Sequence, residues 1–405
     1  MNNTTRFQLS LMMFLQYFVW GCWYVTMGTY LSKALNCDGS QIGSAYASNA
    51  IAAMISPFFI GYIADRFFNT ERLLGVMHLL GAVLMYFAAQ ADNFETFFPI
   101  LLGYSLVYMP TLALSNALCF HHINDPEKEF PSIRVLGTIG WIAAGLTIGY
   151  LNYAGSNMQF ILTSIMSVVM GIYCFTMPAT PPKPKEGKTT ISQILGLDAL
   201  SLLKDRSFAI MVIASILFCI PLNFYYSFAG QFLGEVGLEN VAGKMTLGQM
   251  SEIGFMLLMP FFLKRLGVKY MIIFGLAAWI MRYLFFAYGN ADSNLWMLYV
   301  GILLHGICYD FFFVTGQIYT DNKAPLSMRS SAQGLITFAT YGVGFFFGAR
   351  IAGEVVKAYE ITTTQHNWQS VWYVPTAIAA VILVLFWVMF KDDSKSVLAK
   401  EFKEN

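Results

Sequence analysis

Apolar runs of about 18 residues or more recur from one end of the chain to the other, each long enough to cross a bilayer as a helix. The stretch 208-FAIMVIASILFCIPLNFYYSF-228 is typical. No soluble fold can hide so many of them. Of the 405 residues, 57% are hydrophobic and 12% charged, about half the roughly 25% charged share of a soluble domain. With 36 Phe as well, the surface cannot be polar throughout. The chain is therefore read as a polytopic, all-helical membrane protein. Twelve spans are expected, at 8–34, 41–64, 72–91, 96–120, 134–154, 158–177, 208–234, 245–264, 268–289, 294–320, 329–356 and 367–390.

The one long polar connection, 178-PATPPKPKEGKTT-190, divides them six and six. Its proline and lysine content suits a flexible linker. In 191-ISQILGLDALSLL-203, Ile191, Ile194, Leu195 and Leu202 fall roughly on one helical face, which suggests a short helix in the membrane interface. The expected organisation is a first bundle over 1–177, a linker with its short helix over 178–207, a second bundle over 208–391 and a tail over 392–405. Of the 24 Lys and Arg, nineteen fall on the side that holds the termini and linker. By the positive-inside rule, that side is cytoplasmic. The N-terminus lacks a small-residue cleavage site after a short apolar core and reads as the first span.

The two halves resemble each other weakly. Span five opens 134-RVLGTIGW-141 and span eleven opens 329-RSSAQGLI-336, each with an arginine and then a polar residue four later. Each span also holds a pair of glycines four apart, Gly145 with Gly149 and Gly344 with Gly348, a spacing that lets helix backbones approach. Six spans, a linker and six related spans describe a transporter built from repeats.

Ionisable groups at membrane depth are costly and usually face a cavity or a partner. Glu252 has Gln249 three residues earlier on the same helix face, a carboxylate and an amide that suit a polar ligand. Asp310 lies among Tyr309, Phe311, Phe312 and Phe313, a setting in which a carboxyl can bind and release a proton near neutral pH. An ion pair with Arg282 of the preceding span is an equal alternative for Asp310, and either carboxylate could couple protons. Arg134, Thr138 and Trp141 form one stripe on span five. A guanidinium, a hydroxyl and a large ring suit a flat polar ligand. A snorkelling arginine, a helix-bonded threonine and an interfacial tryptophan fit the spacing equally well. Asp65 and Arg66 suggest an interhelical latch, Arg350 and Glu354 a simple i,i+4 pair. His305 reads as a helix-contact residue, and His121 and His122 as solvated.

Other classes find little support. The net charge of +1 offers no field for nucleic acid. The six cysteines are scattered, with no metal or disulfide pattern. No HxxxH, DxxD or Ser/His arrangement suggests an enzyme, and no soluble domain is attached to signal from. No cofactor is expected.

The chain resembles the nucleoside:proton symporters of the major facilitator superfamily. The resemblance rests on 14-FLQYFVWGCW-23, 61-GYIAD-65, 108-YMPTLAL-114, 130-FPSIRVLGTIG-140, 194-ILGLDAL-200, 249-QMSE-252, 310-DFF-312 and 332-AQG-334, in order and at similar spacing. It implies twelve helices in two pseudo-symmetric six-helix bundles, working as a monomer in the bacterial inner membrane. It also implies proton-driven nucleoside uptake by alternating access. The family's span-five arginine and threonine, which help hold the nucleoside, match Arg134 and Thr138, with Trp141 in place of a phenylalanine. Its span-eight glutamine and glutamate match Gln249 and Glu252. Its span-ten aspartate matches Asp310, with Tyr309 where the family has phenylalanine. Span seven departs, since Asn223 and Tyr226 stand where the family has glutamine and asparagine. That departure puts the base preference in question and leaves a modified nucleoside, or a sugar, as the alternative cargo.

Overall fold

The structure is a computed structural model that describes residues 2–66, 68–124, 126–182, 197–325, 328–362 and 365–392. Residues 191–196 and the side chains of Asp65 and Arg66 lie outside the described part, and with them most of the expected interfacial face and the expected latch.

Spans one to six are formed by Asn3–Gly21 with Met27–Ala34, then Gly39–Arg66, Thr70–Ala88, Phe94–His122, Pro126–Tyr150 and Met158–Cys174. Span seven is Arg206–Glu235, and Val241–Tyr288 supplies spans eight and nine. Leu295–Lys323 is span ten, Ser331–Ala358 lies in span eleven and Trp368–Met389 is span twelve. Spans eight and nine meet at Gly267, whose φ of 70° lies in the left-handed region that glycine enters without a Cβ penalty. The described end of the linker, Leu197–Lys204, is a 3-10 helix.

The chain divides into two compact units. One comprises Met1–Lys188, Tyr226–Gln231 and Glu239–Thr246; the other comprises Thr189–Tyr225, Phe232–Leu238 and Leu247–Asn405. In the first, Leu9, Met12, Met13, Leu74, Leu118, Ile133, Met170 and Cys174 share one buried cluster. In the second, Met259, Met271 and Phe311 form another. Large apolar side chains are also exposed, among them Leu80, Val83 and Phe87 on span three and Val381, Leu385 and Val388 on span twelve. Such faces are what a membrane helix presents to acyl chains. All six cysteines are buried and free.

Span one is not the continuous helix expected over 8–34. The hydroxyl of buried Tyr46, on span two, is inserted into its hydrogen-bond ladder. It accepts from the Gly28 N–H at 3.2 Å and donates to the Tyr24 carbonyl at 2.7 Å. In an unbroken helix those two backbone groups would bond each other. A side chain placed between them is one of the few causes that break a helix sharply.

Spans ten and eleven each contain a π-helical stretch, Asp310–Val314 and Phe338–Gly344. The hydroxyls of Tyr309 and Tyr341 meet at 2.7 Å beside them. Stretches of this kind occur often at functional sites, and nothing in the residue pattern announced either one.

The start of the linker is fastened rather than loose. Thr180 donates its N–H to buried Glu71 at 2.9 Å, accepts from the Thr70 N–H at 3.0 Å and meets His122 Nε2 at 2.8 Å. His122 is thus partnered, not solvated as its position at a loop edge suggested. At the other end of the linker, Asp205 caps span seven by accepting from the Phe208 N–H at 2.9 Å, and it pairs with Lys323 at 2.9 Å. Partial burial works against its charge. The Phe208 N–H and the Lys323 ammonium outweigh burial and hold the Asp205 carboxyl below its usual value.

Candidate functional site

In the first unit, glycines decide how closely spans one and five approach. A Cβ on Gly140 would strike the Phe14 carbonyl oxygen, and one on Gly21 would lie 2.9 Å from the Ala144 Cβ. Gly137 leaves room for the Tyr17 ring, which a Cβ there would meet at 2.6 Å. That closeness places Arg134 over Tyr17, with the guanidinium carbon 4.0 Å from the ring centroid. Two turns further along, Trp141 packs edge-on against Trp20 at 5.3 Å and against Tyr24 at 6.2 Å. Arg134, Thr138 and Trp141 are all half-buried on one stripe of span five.

Tyr17, Trp20 and Tyr24 are the part of this surface that the residue reading left without a role. They sit at i, i+3 and i+7 on span one, which is a helical face and could have been read as one. Behind them lies a buried polar layer. Gln16 donates to Thr111 Oγ1 at 2.7 Å and accepts from His78 Nε2 at 2.8 Å. Tyr108 donates to the Gln16 carbonyl at 2.7 Å and packs under Trp20 at 6.0 Å. These bonds satisfy Gln16 and hold the rings above it in place. Tyr226 also belongs to this unit, where its ring meets Tyr24 edge-on at 5.9 Å.

In the second unit, Gly344 and Gly348 of span eleven let span seven come close. A Cβ on Gly348 would come 2.6 Å from the Cys219 carbonyl oxygen and 2.7 Å from Asn223 Nδ2. Asn223 is fully buried and donates to the Cys219 carbonyl at 2.7 Å, while its Oδ1 has no hydrogen-bond partner among the described residues. Asn223 and Tyr226 stand three residues apart on the one helix Arg206–Glu235. Helix Arg206–Glu235 runs without a break through Pro221, whose carbonyl accepts from the Tyr283 hydroxyl.

Asp310 is fully buried, and neither carboxyl oxygen has a hydrogen-bond partner among the described residues. The alternative ion pair with Arg282 does not form. The Arg282 guanidinium instead reaches His305 Nδ1 at 3.1 Å, and His305 Nε2 lies 3.8 Å from Glu252 Oε2. Gln249 is buried one turn before Glu252 on span eight. His305 makes helix contacts, as expected, but it also stands between a cation and a carboxylate. A basic residue at 282 and a histidine at 305 are visible in the chain; their convergence across 23 residues is not.

Twelve spans, with buried polar and ionisable groups held in an apolar body, define a secondary transporter of the major facilitator type. The chain belongs to the nucleoside H+ symporter family, whose pattern it matches over residues 2–395. It is 46% identical to YegT of Escherichia coli (strain K12), over 98% of this chain and 96% of that protein. It is 33% identical to the xanthosine permease of the same strain, over 95% of each. The crystal structure of nucleoside transporter NupG superposes with a TM-score of 0.88 at 31% identity, covering 96% of this chain and 100% of that one. The protein is a multi-pass membrane transporter and not an enzyme.

Proposed function

We propose that this protein takes up nucleosides together with protons by alternating access. Asp310 carries the reading: a fully buried carboxyl with no hydrogen-bond partner among the described residues, placed at the start of a π-helical stretch in a proton-symporter chain. A fixed charge without a partner is too costly to keep in an apolar interior, whereas a group that takes up and releases a proton can occupy such a place. Asp310 is accordingly the proton-coupling group, and Glu252 a ligand acceptor. On the N-terminal side, Arg134, Thr138 and Trp141 offer a planar donor, a hydroxyl and a ring face to the nucleoside, and Tyr226 of span seven, whose ring meets Tyr24, adds a phenol. On the C-terminal side, Asn223, Gln249, Glu252 and Tyr309 offer amide, carboxylate and phenol groups. Ribose hydroxyls and the edge of a base are matched by such a set.

The two bundles run over 1–177 and 208–391, with the linker at 178–207 and the tail at 392–405. Both termini face the cytoplasm of a bacterial inner membrane, in keeping with the bias of Lys and Arg. A monomer embedded in lipid is the working unit.

A second reading, uptake of a modified nucleoside, is favoured by Asn223. One of its two amide N–H groups is committed to the Cys219 carbonyl, while Oδ1 is an acceptor with no partner among the described residues. A base presenting an additional N–H would suit that acceptor.

Proteoliposomes loaded against an inward proton gradient test both readings. Labelled uridine, adenosine or xanthosine should accumulate, and an uncoupler should abolish the accumulation. Accumulation of free sugars but of none of these nucleosides would overturn the assignment.

A further inference from the structure

Arg282 is fully buried in span nine. Its guanidinium carbon lies 3.5 Å from the centroid of the Tyr225 ring, with Trp279 at 5.1 Å and Phe286 at 5.6 Å. Its Nε and Nη2 have no hydrogen-bond partner among the described residues, and Nη1 reaches His305 Nδ1. An aromatic sleeve stabilises a cation only modestly, and a buried charge calls for a counter-charge. Here the counter-charge is approached through the imidazole, whose Nε2 lies 3.8 Å from Glu252 Oε2, a charge-to-ring contact longer than a hydrogen bond.

The direction of this chain follows from donor chemistry. A guanidinium has donors and no acceptor. His305 Nδ1 must therefore accept, the ring is neutral, and its hydrogen sits on Nε2, toward the carboxylate. The ring is held firmly in that pose. It stacks on Tyr225 at 5.0 Å and lies against Tyr309 at 5.9 Å. A Cβ on Gly248 would come 3.1 Å from the His305 Cβ, so span eight passes directly beside it. Ser251 ties the two spans together, donating to the Leu303 carbonyl at 2.7 Å and accepting from the Gly306 N–H at 3.0 Å.

We propose that Arg282 and His305 are positioning residues for Glu252, forming a guanidinium–imidazole–carboxylate relay that keeps Glu252 ionised and oriented as an acceptor for nucleoside hydroxyl or N–H groups. The proposal rests on the reading of Glu252 as a ligand-binding carboxylate. It separates the two carboxylates by their surroundings: Glu252 is backed by a buried positive charge, while Asp310 has no ion-pair partner among the described residues. Among the described residues, Arg282, Tyr225, Tyr309 and Glu252 face the His305 ring, and Asp310 is close enough to Glu252 for the two carboxyl groups to interact.

The charge state can be read without any ligand. Infrared difference spectra of purified full-length protein, with the Glu252 band identified through Glu252→Gln, should show a carboxylate at neutral pH. In His305→Leu that band should move to the protonated carboxylic-acid position. In His305→Gln, whose amide can accept from Arg282 and donate to Glu252, it should remain a carboxylate. Uridine and adenosine titrations of the same samples should show binding weakened about ten-fold or more in His305→Leu, and within about three-fold of wild type in His305→Gln. Arg282→Met should cost about ten-fold in the wild type but under about two-fold when Glu252 is already Gln, because the coupling has then been removed. A carboxylate band unchanged in His305→Leu, or His305→Gln behaving like His305→Leu, overturns the relay. If the wild type binds neither nucleoside, the infrared result still decides the relay, and it is the transport reading that fails.

Discussion

Arg134 lies over the Tyr17 ring, its guanidinium carbon 4.0 Å from the centroid, although the two residues stand on spans five and one. A snorkelling arginine would reach water; this one is folded back onto an aromatic face rather than toward solvent. Arg134→Lys keeps the charge but loses both the stacking and the fork. Nucleoside affinity, read by calorimetry, should weaken by about 1–2 kcal/mol, the loss of a partly desolvated cation–π and bidentate contact. Unaltered affinity would return Arg134 to the role of a boundary charge.

Tyr46→Phe tests the break in span one. It removes the hydroxyl that accepts from Gly28 and donates to Tyr24 while keeping the ring. Each bond is worth about 1 kcal/mol, so the melting temperature should fall. Because Tyr24 packs against Trp141, nucleoside affinity should fall with it. A variant that melts lower yet binds normally would confine Tyr46 to a structural role.

Asp310→Asn should separate exchange from accumulation. With no ionisable group at that place, preloaded vesicles should still swap labelled for unlabelled nucleoside, but an inward proton gradient should no longer drive uptake. Retained gradient-driven accumulation would pass proton coupling to another group.

Gly348→Ala places a methyl group against the Cys219 carbonyl and the Asn223 amide. Both neighbours belong to span seven, so the helices must move apart or Asn223 must turn. Overpacking of this kind costs about 1–3 kcal/mol, and base preference in competition assays should shift along with stability. Equal loss for all nucleosides would mean that the helix spacing matters and the Asn223 pose does not.

Acid should weaken one end of span seven. The folded-state carboxyl of Asp205 is held below its unfolded value, so its contribution is full above about pH 4. It is lost as the pH falls through the lower folded value, when the pair with Lys323 is discharged. Asp205→Asn should therefore melt below wild type at pH 7, with the gap closing toward pH 3. A gap that persists in acid would show that the pair with Lys323 is not its source, since Asn keeps an acceptor for the Phe208 N–H.

The apolar runs determined the spans, because a helix that must satisfy its own backbone in hydrocarbon leaves an unmistakable composition. Gly267 is a turn legible from its neighbours: Lys264, Arg265 and Lys269 interrupt the apolar pattern there. The stripe of Arg134, Thr138 and Trp141 is equally legible, since residues one turn apart share a face wherever the helix lies. The lone acids Glu252 and Asp310 stood out for the same reason, as charges in segments that otherwise exclude them.

What only the tertiary structure decided is which distant groups meet. Arg282 could have paired with Asp310 or with His305, and the residue pattern allowed both. Packing sent it to His305 and left Asp310 without a hydrogen-bond partner among the described residues. Tyr46 reads as any buried aromatic until its hydroxyl is seen inside the ladder of span one. The two π-helical stretches likewise depend on how neighbouring spans pack. Composition is enforced by the solvent, one segment at a time, and can be read locally. Pairing is set by close packing among helices, where a glycine at 140 or 348 determines which side chains come within reach.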